Sequence, residues 1–280
     1  MTNPFVETTE TALSATADKQ GRNRTWWETK PMTYADWAAE DRLPETAEDF
    51  LTMEAYVLRT GPWLREWFER QDFTNFECLD LGSGSGIFSS LLARRGARVT
   101  ALDLTEMGVR LTRATTGFFD CDVKVVRGDA ERQPFADASF DFVYSWGVLH
   151  HTHDMAGALA EAARVLRPGG RGMMMVYHRT SVVYYLHGLY WLIAKGKLFQ
   201  GHSLESVQGF YTDGFYHRYL TRRDLGAMLN AAGLSPRAFA VTQYEKRILP
   251  LLPGALDRWL KARFGMCLIA EFEKPGGAHG

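Results

Sequence analysis

The chain has 280 residues, 46% of them hydrophobic, and a formal net charge of −1. That length supplies the core of one large domain, or of one domain with additions. The near-neutral balance argues against a general nucleic-acid binder, which carries a basic excess. Three widely spaced cysteines (Cys78, Cys121 and Cys267) show no CxxC or Cys/His spacing, so neither a disulfide framework nor a metal site is expected. Cys78 and Cys267 lie in apolar runs and read as buried thiols.

Residues 1–22 are rich in Thr, Ala and Glu without periodicity and read as a disordered tail. They lack the basic start and apolar stretch of a signal peptide. The longest nearly apolar run, Val182 to Ala194, is shorter than the ~20 residues of a membrane span. A reduced, cytoplasmic, soluble protein is expected.

Residues 23–75 read as an N-terminal cap, aromatic at first and then helical from Thr46 to Arg70, with a break near Gly61-Pro62. Apolar runs then alternate with helical segments. The expected strands are Cys78–Leu81, Val99–Leu102, Val123–Val126, Phe140–Tyr144 and Gly172–Tyr177. The helices between them are Ile87–Arg95, Glu106–Phe118 and Met155–Leu166, the last stopped by "RPGG". This alternation predicts a doubly wound, mostly parallel α/β core over 76–179. Residues 180–220 form an aromatic insertion. Over 221–280, Thr221 caps a helix to Ala232, and two more strands follow without a clear crossover helix, suited to antiparallel pairing at the sheet's edge.

The chemistry concentrates in "ECLDLGSGSGIF", where a strand runs through Gly82-x-Gly84-x-Gly86 into a helix. Such a turn offers backbone N–H groups and a positive helix end to a ligand. Its spacing is not the G-x-G-x-x-G of dinucleotide binders. Asp103 ends the second strand seventeen residues after Gly86, where a carboxylate can accept from both ribose hydroxyls. A nucleoside, not necessarily a pyrophosphate, is therefore the expected ligand. Asp129, after the third strand, is placed to meet an adenine amino group. The fourth strand runs into "SWGVLHH" and the fifth into "YH".

The run from Cys78 to His178 resembles the class I S-adenosylmethionine (SAM) dependent methyltransferases of small-molecule type. The resemblance implies a Rossmann-like, seven-stranded sheet with one antiparallel strand, and SAM as cofactor. It implies Asp80 and the loop residues Gly82, Ser83, Gly84 and Gly86 near the methionine part. Asp103 with Leu104 would serve the ribose, and Asp129 with Ala130 the adenine. Ser145 and Trp146 would leave the fourth strand at the site.

In turns of the "VLHH" type the first histidine commonly faces the reacting centre, so His150 is expected there ahead of His151. Tyr177 and His178 leave the fifth strand at the same end and join it as catalytic candidates. A neutral imidazole could take a proton as the methyl moves, although positioning alone can drive transfer from a sulfonium. Tyr34, Tyr211, Tyr216 and His217, from the flanking aromatic segments, are expected at the substrate, and Trp26, Trp27, Tyr34, Tyr177 and Tyr211 are suited to cation–π contact with the sulfonium. The flanking segments 23–37 and 180–220 would form the cover. "SWGV" stands where enzymes acting on nucleic-acid bases carry NPPY or DPPY. The expected partner is thus a small molecule, with no nucleic acid, no integral membrane segment, and a monomeric or homodimeric protein. Two other activities stay open: cyclisation of SAM itself to an azetidine amino acid, and methylation of a quinone or lipid with Val182–Ala194 as an interfacial helix.

Overall fold

A computed structural model describes residues 20–29, 43–60, 62–210, 217–242 and 253–276. Tyr34, Tyr211 and Tyr216 lie outside the described residues. Helix α1 covers residues 20–29, so residues 20–22, read from sequence as tail, are helical. Helices α2 (Ala47–Thr60) and α3 (Pro62–Arg70) follow.

The core then alternates β1 (Glu77–Leu81), α4 (Ile87–Ala93), β2 (Arg98–Asp103), α5 (Glu106–Phe118), β3 (Val123–Arg127), β4 (Phe140–Trp146), α6 (Met155–Val165) and β5 (Leu166–His178). Helix α7 (Val182–Leu189) opens the insertion. A two-residue strand β6 (Tyr219–Leu220), α8 (Arg222–Ala231), β7 (Ser235–Thr242), α9 (Gly254–Phe264) and β8 (Cys267–Glu273) complete the chain. Two elements differ from the sequence reading. Helix α9 separates the last two strands, but only Asp257 of it is buried, so no apolar stripe announces it. The "RPGG" segment lies within β5, whose pairing with β4 jumps from Phe140–Leu166 to Phe142–Arg171, so these residues form a bulge.

The sheet runs β3-β2-β1-β4-β5-β8-β7, with β6 pairing beside β5. β8 alone runs antiparallel to its neighbours, β5 and β7. Chain order reverses between β1 and β4, which opens a crevice at the strands' carboxyl ends. Each strand buries alternate residues on opposite faces. Leu79, Val143, Met174 and Val176 pack under α6 and α8 with Leu159 and Leu225. Cys78, Phe142, Tyr144, Met173 and Met175 face α4 and the cap residues Met53, Trp67 and Phe68. Trp67 also donates its indole N–H to Glu271 of β8 (2.9 Å), so the cap is tied across the sheet. No helix among the described residues is long and apolar enough to cross a membrane.

Where α4 begins, Gly86 is the N-cap at φ 77°, and a Cβ there would fall 2.6 Å from Thr112 Cα of α5. The glycine thus meets two demands, a left-handed backbone and close contact between helices. Gly86→Ala is expected to destabilise the fold by about 2 kcal/mol or more. Urea unfolding measures this, and an unchanged midpoint would contradict the account.

Candidate functional site

A cleft with roughly 1120 Å³ of empty space, partly open to solvent, lies at the carboxyl ends of β1 to β5. Its walls come from the β1–α4 loop (Gly82, Ser83, Gly84, Ser85), Asp103 and Leu104 after β2, Asp129 and Ala130 after β3, and Trp146 to Val148 after β4. His151, Thr152, Met175 and Tyr177 form the far end, and Gln20, Asn23 and Trp27 of α1 lie across it.

Asp103 organises this geometry. Its Oδ2 accepts the Gly84 N–H (2.9 Å), while Oδ1 accepts the Thr105 N–H (2.9 Å) and hydroxyl (2.7 Å). Thr105 in turn caps α5 by accepting the Gly108 N–H. A carboxylate offers about four acceptor positions, and three are used. One remains for a ligand. Gly84, at φ 51°, has only a distant backbone oxygen near the position a Cβ would take, so its bare main chain faces open space.

Helix α1 is fastened at three points. Gln20 donates its amide N–H to Asp129 Oδ2 (2.9 Å), and Asn23 donates to the His151 carbonyl (3.2 Å). Glu28 accepts from the N–H groups of Glu106 and Met107 (3.0 and 2.9 Å). This places a carboxylate on the positive end of α5. Gln20 and Asn23 escaped the sequence reading because they sit in a stretch without periodicity. Thr105 was detectable, as a threonine directly before a helical run.

Several residues singled out from sequence do not line the cleft. His150 is fully buried, its ring 4.1 Å from those of both His151 and Tyr177, and His151 takes the lining position. The cause is the 3-10 turn Leu149–His151, in which consecutive side chains diverge by about a third of a turn. Burial, then the neighbouring His151, His217 and Arg218, hold the His150 pKa well below the usual histidine range, so its imidazole is neutral. Among the described residues neither of its ring nitrogens has a hydrogen-bond partner.

Strand alternation accounts for two more departures. Met175 and Tyr177 point to the cleft, so His178 points away; its ring nitrogens meet the Gly265 carbonyl (3.0 Å) and the Thr180 hydroxyl (2.8 Å). Ser145 alternates with Trp146 in the same way and donates to the Leu81 carbonyl. Gly86 faces α5, as described above. His217 stands behind the lining, edge-on to Tyr219 at 5.6 Å and to His151 at 6.5 Å. The described residues of 180–220 stand behind Tyr177 and His151 and form none of the cleft wall.

Asp80 also sits behind the loop, fully enclosed, accepting the Ser89 hydroxyl at 2.6 Å. Burial pushes its carboxyl up to about 7, partly offset by the Ser89 bond and reinforced by Asp103.

Residues 79–174 match the family described as "Methyltransferase domain". Demethylmenaquinone methyltransferase of Tropheryma whipplei is 30% identical over 146 residues, covering 48% of this chain and 60% of that protein. The ubiquinone/menaquinone biosynthesis C-methyltransferase UbiE of Paracoccus denitrificans is 39% identical over 124 residues, covering 42% and 48%. The chain thus spans about half the length of these curated relatives. The solved structure of an S-adenosylmethionine dependent methyltransferase from Mesorhizobium loti superposes with a TM-score of 0.52 at 21% identity, covering 79% of this chain and 97% of that one. At that identity the likeness speaks for the fold.

Because folding raises the Asp80 pKa above its ordinary 3.8, the folded protein holds more protons than the unfolded chain between about pH 4 and 7. Its stability contribution is therefore present at low pH and lost as pH rises through about 7. Asp80→Asn, which cannot ionise and keeps an acceptor for Ser89, should melt above the parent at pH 8 and level with it near pH 4. Equal melting temperatures at both pH values would show that Asp80 is not held protonated.

Proposed function

We propose that this chain, whose core belongs to the class I SAM-dependent methyltransferases, binds SAM in the cleft and transfers its methyl group to an O, N or S atom of a small-molecule acceptor. The observation that carries this reading is the convergence of Gly84, Asp103 and Asp129 on one crevice at the sheet's switch point. The residues fit the cofactor on their own chemistry. Gly84 offers bare main chain, Asp103 keeps one acceptor position, and Asp129 Oδ2 takes an amide N–H₂ from Gln20, the same kind of donor as an adenine amino group. When bound, SAM supplies an electrophilic methyl on a sulfonium.

The chain's own part is to bind, orient and exclude water. Asp103 receives a ribose hydroxyl through a charge-assisted bond, and Asp129 exchanges its Gln20 partner for the adenine. Trp27, Trp146 and Tyr177 present ring faces suited to a sulfonium. His151, at the far end with Tyr177, accepts the acceptor's proton at a ring nitrogen. His150 acts beneath it as packing that fixes its position, since a fully buried imidazole with a depressed pKa is a poor base.

Asp103→Ala should weaken SAM binding at least tenfold by calorimetry, the scale of one charge-assisted hydrogen bond; unchanged affinity would remove the ribose assignment. His151→Ala should lower kcat by about 10²-fold or more with SAM affinity retained, whereas His150→Ala should chiefly lower the melting temperature. A loss of turnover confined to His150→Ala would reverse these roles. Incubation with isotope-labelled SAM should yield labelled product only when a metabolite extract is added. Methylthioadenosine formed from SAM alone would instead mark a cyclase.

A further inference from the structure

Residues 180–204 carry two lysines and no Asp or Glu, in a chain of net charge −1. Ser181 caps α7, and Tyr184 and Gly188 form its buried side. A Cβ on Gly188 would fall 2.2 Å from Leu204 Cδ1, so the helix is seated firmly on that side. On the opposite side lie Tyr185, Leu186 and Leu189, continued by Tyr190 and Ile193 of the π-helical turn Tyr190–Ala194, with exposures between 44% and 64%. The chain then turns at Gly196 and Gly201, both left-handed, around a short turn Lys197–Gln200. Phe199 at its tip is 90% exposed, and Leu198 beside it 56%. Lys195 holds its ammonium 5.5 Å from the centre of the Tyr190 ring, at the rim of the apolar surface. Contiguous apolar surface of this kind marks a binding face.

We propose that the outer side of α7 and the Lys197–Gln200 turn dock on an anionic lipid bilayer, the apolar side chains entering the headgroup boundary and Lys195 and Lys197 lying at phosphate level. Three observations select a bilayer as the occupant. The most exposed ring, Phe199, sits in a turn between two left-handed glycines, where it is free to enter a fluid apolar phase. The side-chain charges of residues 180–204 are both positive, so a second copy laid face to face on this segment would bring like charges together. Lys195 lies beside the Tyr190 ring, the arrangement in which a cation reaches a headgroup while its carbons stay in apolar surroundings. The docked face also stands close to the cleft: Tyr184 contacts Tyr219 at 4.9 Å, Tyr219 contacts Tyr177 at 5.5 Å, and Tyr177 lines the cleft wall.

The test is flotation of the full chain with phosphatidylcholine vesicles, with and without phosphatidylglycerol. The parent should float with the anionic vesicles and about tenfold less with neutral ones or in high salt. Ile193→Asp combined with Phe199→Ser should lower the floated fraction about tenfold. Lys195→Glu with Lys197→Glu should erase the preference for anionic vesicles. All four positions are at the surface or its rim, and circular dichroism melting checks that each variant is folded, independently of any catalytic assay. The proposal is overturned if the parent stays with the dense fraction, if the Ile193/Phe199 variant floats like the parent, or if sedimentation velocity shows self-association that the same variant abolishes in the absence of flotation.

Discussion

The carboxylate of Asp103 joins three elements that would otherwise have no fixed relation. Through Gly84 it holds the loop after β1, and through Thr105 the first turn of α5, while its own backbone ends β2. The Leu102 carbonyl adds bonds from the N–H groups of Gly82 and Ser83, so the loop is pinned from the neighbouring strand at three main-chain points. Glycines in left-handed conformations lose much entropy on ordering. Here that cost is offset by charge-assisted bonds made in a nearly buried setting. The cleft's floor follows from this unit, since the loop curves away only as far as Asp103 allows.

Helix α1 is fastened to the same unit from above. Glu28 sits on the start of α5 that Thr105 caps, and Gln20 and Asn23 reach Asp129 and His151 on either side of the opening. Trp27 adds an edge-on ring contact with His151 at 5.1 Å, whereas α2 and α3 pack apolar side chains against the sheet. The cap is thus two devices: α2 and α3 complete a core layer, while α1 spans the opening on hydrogen bonds.

The described residues of the insertion after β5 do not line the cleft that its aromatic content was expected to cover. Its described residues turn Tyr184 inward and leave Tyr185, Leu189, Tyr190, Ile193 and Phe199 outward. Aromatic content alone does not distinguish a ring that closes a cleft from one that faces away from the domain, because both need a large apolar side chain next to a structured one.

By itself the sequence determined the doubly wound core, because strand and helix periods and the glycine turn depend on neighbours close along the chain. The expected range of α5 agrees with the structure at both ends, and Gly82, Gly84, Asp103, Asp129 and Trp146 line one cleft. Tertiary structure alone decided phase and partners. Whether His150 or His151 meets the cleft depends on how one short 3-10 turn is rotated, and both residues satisfy the same motif. Whether His178 faces the cleft or the Gly265 carbonyl depends on the register of β5 with β8, set by residues nearly ninety positions away. Asp80 carries the same carboxylate as Asp103, yet burial leaves it near neutrality behind the loop while Asp103 holds the loop itself. These choices rest on contacts between distant segments, which is why the residue types were legible and their roles were not.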